Sequence, residues 1–277
     1  INKFLKTQGS IHTPKLISKQ IKQGIIEIED FGDKILLNQI KGSKSKFSLY
    51  KKCVDVILKI QKIKVVRKIK FDSNKYLTLK SYNIKNLYKE SNLFFDWYLS
   101  GTIGKKKSLK HKKIINKELN KLYKKIFFKN RFIVHRDFHV SNIMLTDKKL
   151  GIIDTQDAIL GNPMYDLASL IDDVRVKVPF QIKERIFQYY LKKCSIKKNR
   201  IFLLKNDFDI LSIQRNLKIL GIFYRLFKRD NKPQYLKYLP YTWSLIELRM
   251  KNKIFSNLKT ALKKAVSKKI RNKINFK

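Results

Sequence analysis

Apolar residues along this chain fall into short runs and longer helical stripes. Phe132-Ile133-Val134, Asn142-Ile143-Met144-Leu145 and Lys149 to Ile153 are short runs of β-forming type close together in sequence. They predict strands, which makes His135 to Ser141 a loop between two of them. Upstream, Pro14 opens a strand-like Lys15–Ser18, Gln23-Gly24 turns, and Ile25–Glu29 alternates as a second strand until Asp30-Phe31-Gly32-Asp33 breaks it. Ile1–Gln8 reads as the end of a helix with Gly9 as its stop. Leu49, Cys53, Val56, Ile57, Ile60 and Ile63 give 47–63 a helical stripe. Further helices are predicted over Asn83–Leu99, Lys112–Phe128, Pro179–Cys194 and Asn206–Lys228, with a basic terminal helix over Ile254–Arg271 after Pro233 and Pro240.

Composition narrows the class. At 277 residues and 43% hydrophobic, the chain can bury a full core as one unequal two-lobed unit. No window approaches 18 uninterrupted apolar residues, so no membrane association is expected. Cys53 and Cys194 have no partner spacing for a disulfide framework or zinc site, which fits a reduced cytoplasm. The formal charge of +43 would suit a polyanion partner. The lysines are spread almost evenly, however, and no RNP, zinc-finger or helix-turn-helix signature accompanies them, so no specific nucleic acid is expected.

The acids are distributed quite differently. Seven of the 21 carboxylates, all Asp, and two of the four histidines lie in the 41 residues from Ile133 to Asp173. Within that stretch His135, Asp137 and Asn142 follow H-x-D-x-x-x-x-N, and Asp154 comes directly after the third strand. Phosphoryl transfer needs such a set: a carboxylate to accept or orient the proton of the attacking hydroxyl, and oxygen ligands to hold Mg²⁺ on the phosphates. Mg²⁺ usually takes only one or two protein carboxylates, so Asn142 and Asp154 would suffice, with Asp137 as base and His135 bracing the loop. Any one of these residues alone could equally be a turn cap, a core histidine or a loop acid; the joint spacing is the signal.

Protein kinases carry Lys where this chain has His139, and a long activation segment where it reaches Gly161-Asn162-Pro163-Met164-Tyr165-Asp166 within twelve residues of Asp154. HRDFHVSN, IIDTQDA and GNPMYDLASL together resemble the aminoglycoside phosphotransferase family of small-molecule kinases. Glu90 to Leu99 and Leu211 to Pro240 are similar to segments of its branch that acts on amino sugars. The resemblance implies a protein-kinase-like α/β (α+β) fold. Residues 1–33 would be the remnant of an N-terminal ATP-binding lobe and hinge, and residues 34–277 a mostly helical catalytic and substrate-binding lobe. It also implies ATP- and Mg²⁺-dependent phosphorylation of the anomeric hydroxyl of N-acetylmuramate or N-acetylglucosamine in peptidoglycan recycling, by a monomer. Asp166 would be a structural anchor, opening a helix over Asp166–Val174.

In that arrangement the backbone of Asp30, Phe31 and Gly32 would hold adenine. No Gly-rich phosphate loop or strand lysine stands before residue 9, and residue 1 is Ile, so the parent gene is expected to encode roughly 50 to 80 further N-terminal residues. Three residues are weaker substrate candidates. Trp97 could wall a sugar site or belong to the core. Arg215 could grip a lactyl carboxylate or pair with Asp207 or Asp166. Asp157 could bind metal, contact substrate or cap a turn. A kinase of the same fold acting on an aminoglycoside, choline or homoserine-like acceptor is the first alternative, and a non-catalytic basic nucleic-acid-binding protein the second.

Overall fold

The computed structural model describes residues 1–43, 45–72, 74–147, 149–194 and 196–276. In chain order the elements are α1 (Asn2–Gly9), β1 (Leu16–Gln20), β2 (Ile25–Ile28), α2 (Leu36–Gly42), α3 (Lys46–Lys62), β3 (Lys68–Asp72) and β4 (Lys75–Thr78). There follow α4 (Ile84–Leu93), which runs through a π-helical turn (Phe94–Leu99) into α5 (Ser100–Ile103), then α6 (Lys105–Lys124). Next come β5 (Phe132–Val134), β6 (Ile143–Leu145), β7 (Leu150–Ile152), β8 (Ile159–Gly161), α7 (Met164–Ile171) and α8 (Phe180–Lys193). The chain closes with α9 (Ile201–Lys228), α10 (Leu239–Arg249), α11 (Ser256–Ala265) and α12 (Lys268–Arg271).

These elements form two compact units, one of residues 1–81 and 129–201, the other of 82–128 and 202–277. In the first, every strand pairs antiparallel in a two-stranded ribbon: β1 with β2, β3 with β4, β5 with β8, and β6 with β7. Single bridges widen two of them, from His12 to Gly151, Ile35 to Met144 and Ser81 to Leu160. The ribbons rest on helices. α3 packs on α7, α8 and β5 through Tyr50, Cys53, Val54, Ile57 and Ile60, all buried. All eight residues of α7 are buried, as expected of a helix apolar on nearly every side. The β1–β2 ribbon is the exception: Leu16, Ile17, Ile25, Ile26 and Ile28 are each about half or more exposed.

The second unit is helical. α6 turns Ile115, Leu119, Leu122 and Tyr123 inward and packs on α11, which answers with Leu258, Ala261, Leu262 and Ala265. Phe94, Tyr98 and Trp243 form an aromatic core, with the Trp243 Nε1–H donating to Tyr98 Oη at 2.9 Å. Gly221 of α9 lies so close to α4 that a Cβ there would collide with the Leu93 carbonyl and the Phe94 amide. That approach falls where the helix widens into its π turn.

Several expected boundaries move for physical reasons. The helix over Lys112–Phe128 begins at Lys105, because Gly104 at φ 84° breaks the preceding helix and lysine propagates a helix without an apolar stripe. It ends at Lys124, and Asp207 takes the amides of Phe127 and Phe128. Pro233 and Pro240 begin helical segments, where a missing N–H costs nothing, so α10 occupies a stretch the sequence left unassigned. The terminal helix breaks at Val266, and Ser267 caps the next turn through Oγ. The expected Asp166–Val174 helix runs from Met164 to Ile171, leaving Asp173 beyond its end.

Candidate active site

The loop from His135 to Asn142 is held in the first unit from two sides. Its front is clamped by Asp166 of α7, whose carboxylate accepts the His135 amide at 2.7 Å and the Arg136 amide at 3.0 Å. Asp166 is thus spent on the backbone. The His135 ring, 1% exposed, meets the Ile153 carbonyl through Nε2 at 2.9 Å and ties the loop to the residue before Asp154. Phe138, fully buried, sets its ring edge-on to His135.

Between these supports the loop turns tightly. The Asp137 carbonyl accepts both the His139 amide at 3.0 Å and Asn142 Nδ2 at 3.1 Å, and the His139 carbonyl accepts the Asn142 amide at 2.9 Å. Asn142 Nδ2 also reaches Asp154 Oδ2 at 3.3 Å. One amide therefore touches both carboxylate-bearing segments, and Asp137, Asn142 and Asp154 share one small region with His135 beneath it. Two non-glycine residues here have left-handed backbone, Arg136 at φ 74° and Asp154 at φ 62°. Such conformations cost of order 1–3 kcal/mol each and concentrate at functional sites.

Asp154 is exposed and contacts two amides, those of Asn142 and Gln156; among the described residues it has no cationic partner. That is unusual in a chain with 64 lysines and arginines. Among the described residues no group of three or more His, Cys, Asp and Glu could hold a metal. The pair of one amide oxygen and one carboxylate instead fits Mg²⁺, which keeps waters and substrate oxygens in most of its shell. Asp157 lies on the surface beside Arg136, with 3.9 Å between Oδ1 and Nη1. Thr155 is buried, and its hydroxyl donates to the Asn2 side chain, which anchors the segment after Asp154 to α1.

The remaining sequence candidates lie elsewhere. Phe31 stacks on His12 with 4.5 Å between centroids and covers Gly151 of β7, where a Cβ would meet the ring. The Gly32 amide is used by Asp30 Oδ1 at 2.8 Å, and the Lys34 carbonyl by the Leu145 amide at 2.8 Å. Trp97 and Arg215 belong to the second unit, Trp97 half-buried on the π turn and Arg215 buried on α9. A cleft of about 310 Å³ opens in the first unit between α3 and the β6–β7 turn, with Lys52, Lys59, Lys149 and Asp147 on its walls; Asn142 and Asp154 are at the other end of that ribbon.

One loop support was missed in the sequence. Asp173 is buried past the end of α7, and its Oδ2 accepts the Val140 amide at 3.2 Å. The only available signal was its spacing, two helical turns after Asp166.

The fold resembles that of a class, the kinase-like small-molecule phosphotransferases. Residues 90–198 match the family described as "Phosphotransferase enzyme family". Solved structures of the class share the fold. A choline/ethanolamine kinase family protein from Mesorhizobium loti superposes with a TM-score of 0.59 at 12% identity, over 95% of this chain and 82% of its own. An aminoglycoside phosphotransferase in complex with gentamicin gives 0.60 at 15% identity, over 88% and 80%. More particularly, the chain is 27% identical over 253 residues to the N-acetylmuramate/N-acetylglucosamine kinase of Pseudomonas aeruginosa, covering 88% of this chain and 72% of that protein. It is 26% identical over 247 residues to the protein of the same name from Neisseria meningitidis, covering 86% and 71%. The chain is an enzyme of the kinase type, with phosphotransferase activity toward a small hydroxyl-bearing substrate; ATP and Mg²⁺ use is typical of proteins of this fold. No helix among the described residues is long and apolar enough to cross a membrane.

Proposed function

We propose that the chain phosphorylates the anomeric hydroxyl of an amino sugar, N-acetylmuramate or N-acetylglucosamine, with ATP as donor. The observation that carries the chemistry is Asn142 joining the Asp137 segment to an exposed, cation-free Asp154. The likeness to amino-sugar kinases over most of this chain supports the acceptor. Asp137 accepts or orients the proton of the hydroxyl. An anomeric hydroxyl is more acidic than an ordinary sugar alcohol, so the demand on this base is mild and positioning dominates. Asn142 and Asp154 would hold Mg²⁺, which when bound neutralises phosphate charge. His135 keeps the loop against Ile153. The turn at Asp30, Phe31 and Gly32 would receive adenine along its backbone, with residues 1–33 on the nucleotide side and the rest carrying catalysis and the acceptor. Asp157, beside Arg136 of the candidate catalytic loop, is a weaker acceptor contact.

The test incubates the protein with Mg-ATP and N-acetylmuramate, N-acetylglucosamine, glucose, kanamycin or choline, follows ADP release, and identifies the product by phosphorus NMR. ADP release with an anomeric phosphate signal is expected for the two amino sugars. Release only with kanamycin or choline would keep the phosphotransferase and overturn the acceptor.

A further inference from the structure

The catalytic loop has a second clamp. Seven residues after Asp166, past the end of α7, Asp173 lies with its side chain 1% exposed and accepts the Val140 amide at 3.2 Å. From behind, Arg175 fixes this carboxylate with both its backbone amide and Nη1, each 3.0 Å from Oδ1. Burial would push the Asp173 carboxyl up, but the charges of Arg175 and His139 outweigh it and hold the group below its usual range. It is therefore an anion at neutral pH, facing the buried His139. His139 occupies a particular place: its amide binds the Asp137 carbonyl and its carbonyl binds the Asn142 amide. Whatever holds His139 and Val140 sets the separation between the base and the amide beside Asp154.

We propose that Asp173, backed by Arg175, is a positioning residue for phosphoryl transfer, acting through His139 and Val140 on Asp137 and Asn142. This rests on the kinase reading above. One helix then serves as a ruler for the loop: Asp166 in its first turn grips the front, and Asp173 beyond its last turn grips the back. A carboxylate that merely filled the core would affect folding alone. A positioning carboxylate must also move the loop that it holds.

The experiment compares Asp173→Ala and Asp173→Asn with wild type and with Asp207→Ala, a variant that loses a buried carboxylate in the other unit. Asp173→Asn keeps an acceptor for the Val140 amide and folds where Asp173→Ala does not. Three quantities are read below the melting temperature: kcat and KM with Mg-ATP and N-acetylglucosamine, the Mg²⁺ concentration for half-maximal rate, and the backbone amide shifts of Asp137 and Asn142. The Asp173 variants are expected to lose about 10- to 100-fold in kcat, the scale of a 1 Å misplacement of reacting groups. Sugar KM should be nearly unchanged, the Mg²⁺ requirement raised and both amides shifted, whereas Asp207→Ala should lower only the melting temperature. Asp173 variants with reduced melting temperature but wild-type kcat and unmoved amides would overturn the proposal. The amide shifts need no turnover. An inactive wild type would therefore count against the kinase reading, and the amides alone would still decide whether Asp173 positions the loop.

Discussion

Asp166 and Asp207 use the same device in the two units of the molecule. Each is a buried aspartate on a helix, and each accepts two successive backbone amides: His135 and Arg136 at 2.7 and 3.0 Å for Asp166, Phe127 and Phe128 at 2.9 Å for Asp207. What they hold is different. Asp207 fastens the chain just beyond α6, while Asp166 fastens a loop whose next residue is Asp137. The same physics thus yields a structural tie in one unit and the support of the proposed catalytic loop in the other. In the loop unit, buried Asp166 and Asp173 serve backbone amides, while buried Asp172 pairs with Lys183 at 3.0 Å. In the helical unit, Glu90 and Asp209 mainly serve side chains, Glu90 with Lys218 and Tyr82, Asp209 with Lys205 and Arg249.

The largest expected effect tests this pairing directly. Removing either acceptor strands two backbone donors, at about 1–3 kcal/mol each, so Asp166→Ala and Asp207→Ala should each lose about 2–6 kcal/mol of stability in urea titration. Only Asp166→Ala should also lose activity, by ~10² or more, because its loop carries the base. Equal activity losses in both would erase the distinction. A cleaner separation comes from Asp137→Ala, which removes the proposed base itself and leaves the Asp166 clamp on the loop in place. Turnover should fall by ~10² or more with the melting temperature nearly unchanged, as for loss of a general base; unchanged turnover would remove Asp137 from the mechanism. Asp154→Asn should raise the Mg²⁺ concentration needed for half-maximal rate, read in the same assay.

Legibility in the sequence follows the range of the determining forces. The H-x-D-x-x-x-x-N spacing and Asp154 were readable because strand, loop and strand follow one another locally, and α3 because its buried face repeats every turn. β3 and β4 were not, because Lys75–Thr78 is exposed at every position and offers no contrast between faces. The π turn at Phe94–Leu99 lies against Gly221, more than a hundred residues downstream. Asp173 belongs to the same group: its role depends on meeting Val140, 33 residues earlier. The candidate site was therefore visible in its loop residues and in two of their supports, His135 and Asp166, and hidden in the third, Asp173.

The helical unit can be strained without touching the loop. Gly221→Ala would drive a methyl into the Leu93 carbonyl and Phe94 amide, backbone atoms that cannot rotate away. Overpacking of this kind costs about 1–3 kcal/mol, and the loss should appear in stability with kcat preserved. In the loop unit Gly151→Ala meets the Phe31 ring, which can tilt, so its cost should be the smaller of the two.

The smallest effect distinguishes the units by acid. Asp173 has its carboxyl held down by Arg175 and His139 against burial, so its stabilising contribution is complete above the unfolded value of about 3.9 and is lost as pH falls through its lower folded value. Asp209 is the reverse. Burial outweighs Lys205 and Arg249 and raises its carboxyl, so its contribution is complete below about pH 3.9 and is lost as pH rises through the raised folded value. Acidification from neutral pH should therefore firm the helical unit first and loosen the loop unit last. Both tryptophans, Trp97 and Trp243, are in the helical unit, so their fluorescence reports it alone, while the amides of Asp137 and Asn142 report the loop. On titration from neutral pH the tryptophan signal should change first and the loop amides last, below pH 4, and Asp173→Asn should abolish that late step. Coincident transitions, indifferent to Asp173→Asn, would mean that the two buried acids do not set the acid response of their own units.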